Sequence, residues 1–146
     1  MNVNQLTTDL VTWYGDGKTG QSPTPEQWRR VLERDPDQSV TLVNLFKFKA
    51  VADYGDGYVG EPGNSAFSKY ASVSMPTMAR VGGSFLYVGP HQGGFIGATA
   101  DWDLVAIGSY PNLQALVDLY SDEGYRQAFR HRVAACEEQA VFICGA

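Results

Sequence analysis

Apolar residues recur with two different periods along this chain, and the switches between them mark out its elements. In NQLTTDLVTWY, residues 4–14, Leu6, Leu10 and Trp13 fall at i, i+4 and i+7, the spacing of an amphipathic helix. Glycines and prolines break the chain over residues 15–25. Thr24-Pro25-Glu26-Gln27 then reads as a helix start: Thr as N-cap, Pro in the first turn, Gln closing a capping box. That helix carries Trp28, Val31 and Leu32 and stops at Asp35-Pro36. The period changes to two in VTLVNLFKFK, residues 40–49, where both faces begin apolar, so the strand is central and covered on both sides.

After a Gly, Asp and Pro loop the helical period returns. Phe67, Tyr70, Ala71, Ser74, Met78 and Val81 share one stripe, with Pro76 expected to kink the helix and Gly82-Gly83 to end it in a left-handed turn. SFLYVG, residues 84–89, is a strand that can run on through a bulge at Gly93-Gly94 to Ile96. DLVAIGSY, residues 103–110, is the next strand, and Pro111-Asn112 caps a helix with Leu113, Leu116, Val117 and Tyr120 inward. A further helix follows Ser121, acidic in its first turn and basic later as the helix dipole prefers, with Tyr125, Phe129, Val133 and Cys136 on its inner stripe. QAVFICG, residues 139–145, is the last strand.

The order after the first helices is β-α-β-β-α-β. It predicts an α+β, ferredoxin-like antiparallel sheet with helices on one face, spanning residues 39–146, behind an N-terminal helical extension of residues 1–38. Helices on one face leave the other bare, and the odd face of the first strand stays apolar until Lys47. A second copy of the chain is the simplest cover, since two-fold homodimers are the commonest assembly.

Composition narrows the partners. Sixteen acidic residues against eleven basic ones give a net charge of −5, which argues against nucleic acid. MNVNQLTTDL has no basic, then apolar, signal pattern, and no segment has the apolar run of a membrane helix, so a cytoplasmic protein without membrane partners is expected. Cys136 and Cys144 match no metal or redox spacing, and His91 and His131 lie far apart without acids at ligand spacing, so no metal and no cofactor is expected.

One stretch invites a different reading. YGDGKTG, residues 14–20, ends like a phosphate-binding loop, yet the position five before Gly17 is Thr12, the preceding element is a helix, and Gln-Ser-Pro follows. YGDGYVG, residues 54–60, repeats the opening without the lysine. Both are expected to be loops built on Asp-Gly turn chemistry.

VNLFKFKAVADYGDG (residues 43–57), the helix ending in ARVGG (79–83), DWDLVAIGSYPN (101–112) and the pair His131-Arg132 together resemble the bacterial "domain of unknown function 1330" family, over about residues 40–145. The resemblance implies the dimeric α/β-barrel superfamily, which includes cofactor-free monooxygenases, chlorite-dismutase-like haem proteins and small isomerases. It also implies a pocket between sheet and helices.

Six residues are candidates for binding a small molecule there. Asn44 sits in mid-strand on a face otherwise made of Leu42, Phe46 and Phe48; its amide is either bonded to neighbouring backbone or aimed into the cavity. Tyr70 lies on the inner stripe of its helix, where packing competes with presenting a hydroxyl. Arg132 lies about 60° from the centre of the last helix's stripe, so snorkelling to the surface is expected over turning inward toward an anion. His91 could serve as a base, without an acid beside it to orient it. Trp102 and Tyr110 bracket the third strand and could wall an aromatic pocket. The same wheel sends His131 outward, which argues against a haem ligand. No nucleophile context stands out. The sequence therefore points to a small-molecule-binding protein, with a cofactor-free monooxygenase-like enzyme as its catalytic form and a non-catalytic dimeric binding or accessory module as the alternative.

Overall fold

The computed structural model describes residues 1–57, 60–97 and 100–145. Helices α1 (Val3–Tyr14) and α2 (Pro25–Leu32) precede β1 (Val40–Phe48), α3 (Gly63–Arg80), β2 (Ser84–Pro90), β3 (Leu104–Tyr110), α4 (Leu113–Ser121), α5 (Glu123–Ala135) and β4 (Cys136–Cys144). The strands form one sheet in the order β2-β3-β1-β4 with every neighbour antiparallel. Each helical crossover therefore skips one strand, β3 lying between β1 and β2, and β1 between β3 and β4. That is the ferredoxin-like, split βαβ arrangement.

Local chemistry sets the helix ends. Thr24 and Gln27 form the reciprocal capping box, Asn112 and Asp122 accept the first-turn N–H groups of α4 and α5, and Gly82 at φ 96° lets the Gly83 N–H return to the Met78 carbonyl. α3 runs on through Pro76. The YGDGKTG stretch is a loop: the Asp16 carboxylate accepts the Lys18 N–H at 3.0 Å and lies 3.7 Å from the lysine's own ammonium. A side chain at Gly17 would meet the Pro23 backbone at 2.6 Å, so glycine is needed for that close approach rather than for a phosphate. In the second YGDG, Asp53 accepts the Gly55 N–H at 2.8 Å, while Tyr58 and Val59 lie outside the described residues.

The even face of β1 carries Val40, Leu42, Asn44, Phe46 and Phe48. It pairs in register with Tyr110, Gly108, Ala106 and Leu104 of β3 and packs on α3 and α5. Leu10 of α1 and Trp28 and Leu32 of α2 join the same core through Tyr120 of α4 and Phe129 of α5, so the N-terminal helices are packed onto the helix layer. The odd face brings Val43 and Leu45 beside Ile107, Val105, Phe142 and Ala140, with Tyr87 next to Ile107, and none of these belongs to either core cluster. Phe142 is 57% exposed. This face is bare, as the one-sided helix layer demands.

Four local expectations change. β2 ends at Pro90 and its irregularity falls between Phe85 and Tyr87, not at Gly93-Gly94; residues 91–97 are outside any strand, and Phe95 and Ile96 are exposed. Trp13 is an exposed residue and its neighbour Tyr14 does the packing, donating its hydroxyl to the Tyr120 carbonyl at 2.7 Å. Cys136 opens β4 directly after α5 instead of ending the helix. The buried stripe of α5 holds Tyr125, Ala128, Phe129 and Arg132, and Val133 is only half-buried, so the stripe turns further toward Arg132 than the periodicity suggested.

Candidate functional site

Between the even face of the sheet and helices α3 and α5 lies a cavity of about 80 Å³. Leu42, Phe46 and Phe67 give it apolar walls, and Asn44, Tyr70, Tyr110 and Arg132 bring polar atoms to it. Each arrives by a different route. Asn44 stands on the inward face because β1 alternates, and Ala106, small and directly opposite, leaves room beside it. Its Nδ2 donates to the Ala106 carbonyl at 2.9 Å and more weakly to Leu42 at 3.4 Å. The amide is thus bonded to sheet backbone and lines the cavity at once, and its Oδ1 accepts no bond among the described residues.

Arg132 is 5% exposed. Its stem does not snorkel, because the α5 stripe carries it under Phe129 and over Phe46, with the guanidinium carbon 5.1 and 4.8 Å from those ring centres. Nη1 donates to the Tyr70 hydroxyl at 3.1 Å and Nε to the Gln139 side-chain oxygen at 2.8 Å. The Tyr70 and Tyr125 hydroxyls are 2.7 Å apart. Gln139 in turn donates to the Gln21 side-chain oxygen at 2.6 Å, and Gln21 donates to the Cys136 carbonyl at 3.2 Å. The loop after α1 is therefore tied through two glutamines to the buried cation.

No carboxylate touches Arg132 among the described residues: every partner is a neutral phenol or amide. Burial acts to discharge the guanidinium, but the oxygens of Tyr70, Tyr120 and Tyr125 outweigh it and hold its pKa above the usual arginine value. Arg132 stays a cation. The phenols of Tyr110, Tyr120 and Tyr125 are pushed above the ordinary tyrosine value, first by burial, so they stay protonated. Burial likewise raises the Cys136 thiol to about 11, which makes it a poor nucleophile.

His91 and Trp102 lie outside this cavity. The His91 N–H bonds the Asp103 carbonyl at 3.2 Å and its Nδ1 accepts from Gly93, while Trp102 is half-buried just before β3. His131 faces away from the cavity, on the side the helical wheel gives it, yet it is covered within its own chain: its Nδ1 is 2.6 Å from the Tyr54 hydroxyl. Burial, then the charges of Arg130 and Lys69, lower its pKa. Gln21, Gln139, Tyr120 and Tyr125 were not singled out for a binding role. Tyr125 had a visible signal in its place on the inner stripe; Gln139 had a weaker one, an inward register beside Phe46. Among the described residues no group of His, Cys, Asp and Glu could hold a metal, and no helix is long and apolar enough to cross a membrane.

Two solved structures share most of this architecture. The model of the family described as "Domain of unknown function (DUF1330)" matches residues 63–146. The crystal structure of the methylated RPA0582 protein is 30% identical with a TM-score of 0.79, over 86% of this chain and 93% of that one. A second structure of RPA0582, a protein of unknown function from Rhodopseudomonas palustris, is 29% identical with a TM-score of 0.78, over 86% and 95% of the two chains. A dimeric protein of unknown function and ferredoxin-like fold from Bacteroides fragilis NCTC 9343 is more distant, at 15% identity and a TM-score of 0.48 over 74% of this chain and 96% of that one. No curated protein matches the chain.

Proposed function

The chain belongs to the DUF1330 family, and from that premise we propose that it is a homodimeric, cytoplasmic small-molecule-binding protein whose cavity takes a small anion. The observation that carries this reading is Arg132, a buried cation that lines the cavity and whose partners among the described residues are all neutral. A buried charge is costly without a counter-ion, and among the described residues no carboxylate supplies one to Arg132. Tyr70, Tyr120 and Gln139 engage only part of its five N–H groups among the described residues, so an incoming carboxylate finds donors in place. Asn44 and Tyr110 would orient the rest of the ligand.

Size narrows the ligand. The cavity of about 80 Å³ is small beside the roughly 300–1,000 Å³ of drug-sized sites, and smaller than an apolar cavity of about 150 Å³ that accepts benzene. Carboxylates of two to four carbons fit this space best. Titration of acetate, propionate and butyrate into the protein, followed by calorimetry and thermal shift, should give saturable binding that Arg132→Met abolishes. Absence of saturable binding by all three acids would sink the proposal.

The catalytic form, a cofactor-free monooxygenase, also draws on this pocket: apolar walls exclude water and Arg132 would hold an ionised phenol that supplies its own electrons to dioxygen. It needs a proton acceptor for a neutral substrate. The raised phenols of Tyr110, Tyr120 and Tyr125 cannot serve at neutral pH, and neither histidine reaches the cavity. The geometry therefore favours binding over turnover, and oxygen uptake with simple phenols should stay at background.

Homodimerisation rests on the bare sheet face of Val43, Leu45, Ile107, Tyr87 and Phe142. Phe142→Lys should shift the light-scattering mass from dimer to monomer while thermal unfolding of the helix-side core is little changed.

A further inference from the structure

A second depression lies on the far side of α5, between the end of α1, the loop around Tyr54 and the helix itself. Its volume is about 350 Å³, within the range of small-ligand sites. Arg126 and Arg130 stand one turn apart on α5 and both line it. The Arg126 guanidinium lies over the Trp13 ring at 4.3 Å, and that of Arg130 over the Tyr54 ring at 5.6 Å. Phe129 and Val133 supply an apolar floor.

The lining carries two arginines and two aspartates, yet its donors are left unpaired in a way that points to a ligand. Neither arginine forms an ion pair among the described residues, and Arg126 Nε is buried without a hydrogen-bond partner. The two rim carboxylates, Asp53 and Asp56, form no ion pair with either arginine. Asp53 accepts the Gly55 N–H at 2.8 Å and faces the Lys49 ammonium at 3.8 Å, and Asp56 is not free either. The cleft thus holds arginine donors that no carboxylate among the described residues pairs with. Stacking on a ring restrains a guanidinium and leaves its N–H edge for a planar or tetrahedral oxyanion.

We propose that this cleft is a second binding site, independent of the cavity under the sheet, for an oxyanion carried on a flat apolar body, a carboxylate or phosphate monoester. The two arginines grip the oxyanion, and Trp13 and Tyr54 flank the body.

Benzoate and phenyl phosphate, titrated separately into the full chain by calorimetry with the arginine Nε resonances followed by NMR, test this and separate the two head groups. Saturable binding of either probe, with the Arg126 Nε signal moving, is the expected result. Arg126→Gln should weaken it about tenfold, because a forked donor pair is lost, and Arg126→Lys should not restore it. Arg130→Gln, at an exposed position that leaves folding intact, should weaken it about threefold and flatten its salt dependence. Arg132→Met, which empties the other cavity of its cation, should weaken it by no more than about threefold, since the sites share only the Phe129 ring. The proposal is overturned if neither probe binds, if both glutamine variants bind like the parent, or if Arg132→Met alone abolishes binding.

Discussion

The two sides of helix α5 hold arginines under opposite conditions. Toward the sheet, Arg132 is enclosed by rings and bonded to Tyr70 and Gln139, so its position is fixed by the fold itself. Away from the sheet, Arg126 and Arg130 rest on Trp13 and Tyr54 and face an open cleft. The buried cation is tied to folding, because its partners lose their own bonds if it goes. The open pair is tied mainly to solvent and salt. One helix thereby carries a fixed cation and two adaptable ones, and the distinction is burial, not residue type.

The strongest way to break the buried side is to remove a wall of its aromatic cluster. Trp28→Ala, which opens space beside Tyr14 and Tyr120, should cost about 3–5 kcal/mol in denaturant unfolding. Next comes the buried cation itself. Arg132→Ala leaves the Gln139 and Tyr70 oxygens without their donor and should cost about 2–4 kcal/mol. Arg130→Ala on the open side should stay within about 0.5 kcal/mol. A gap between these two variants much smaller than that would erase the contrast. Tyr125→Phe, removing one hydroxyl from the network, should cost about 1–2 kcal/mol.

Titration sharpens the same contrast with smaller effects. Tyr14, Tyr110, Tyr120 and Tyr125 have folded pKa values above the ordinary phenol value. The folded state then holds protons that the unfolded state releases, so this stability is complete below about pH 10 and is lost as the pH climbs beyond it. Phenolate absorbance and loss of structure should rise together, in one cooperative step. On the open side, His131 has a lowered pKa, so the unfolded chain binds its proton first and stability falls as the pH drops below about 6.5. His131→Gln should remove that part of the acid sensitivity, visible as a flatter midpoint against pH between about 5 and 7.

Much of the fold was legible in the chain. The capping box at Thr24 and Gln27, the caps at Asn112 and Asp122, the turn at Gly82 and the alternation of β1 all depend on residues a few positions apart, and local chemistry decides them. The β-α-β-β-α-β order followed, and with it a one-sided helix layer. The site was legible in part. Asn44 and Tyr70 show themselves as polar groups on apolar stripes, and Tyr110 as an aromatic at a strand end.

What the sequence could not settle was the direction of amphipathic side chains and the company they keep. An arginine 60° from a stripe centre can reach water or turn inward with nearly the same helical geometry. Its choice was made by Gln139 on β4 and Tyr70 on α3, the latter 62 positions away. The Gln21–Gln139 bond spans 118 positions, and no periodicity carries information over that distance. Trp13 and Tyr14 exchanged roles for a similar reason: a helix end is free to rotate its last residues until the layer beneath selects one, and the Tyr120 carbonyl selected Tyr14. Local pattern determined which segments fold and which faces are apolar. Only the packed structure decided which charges are buried, because that depends on partners brought together by the chain as a whole.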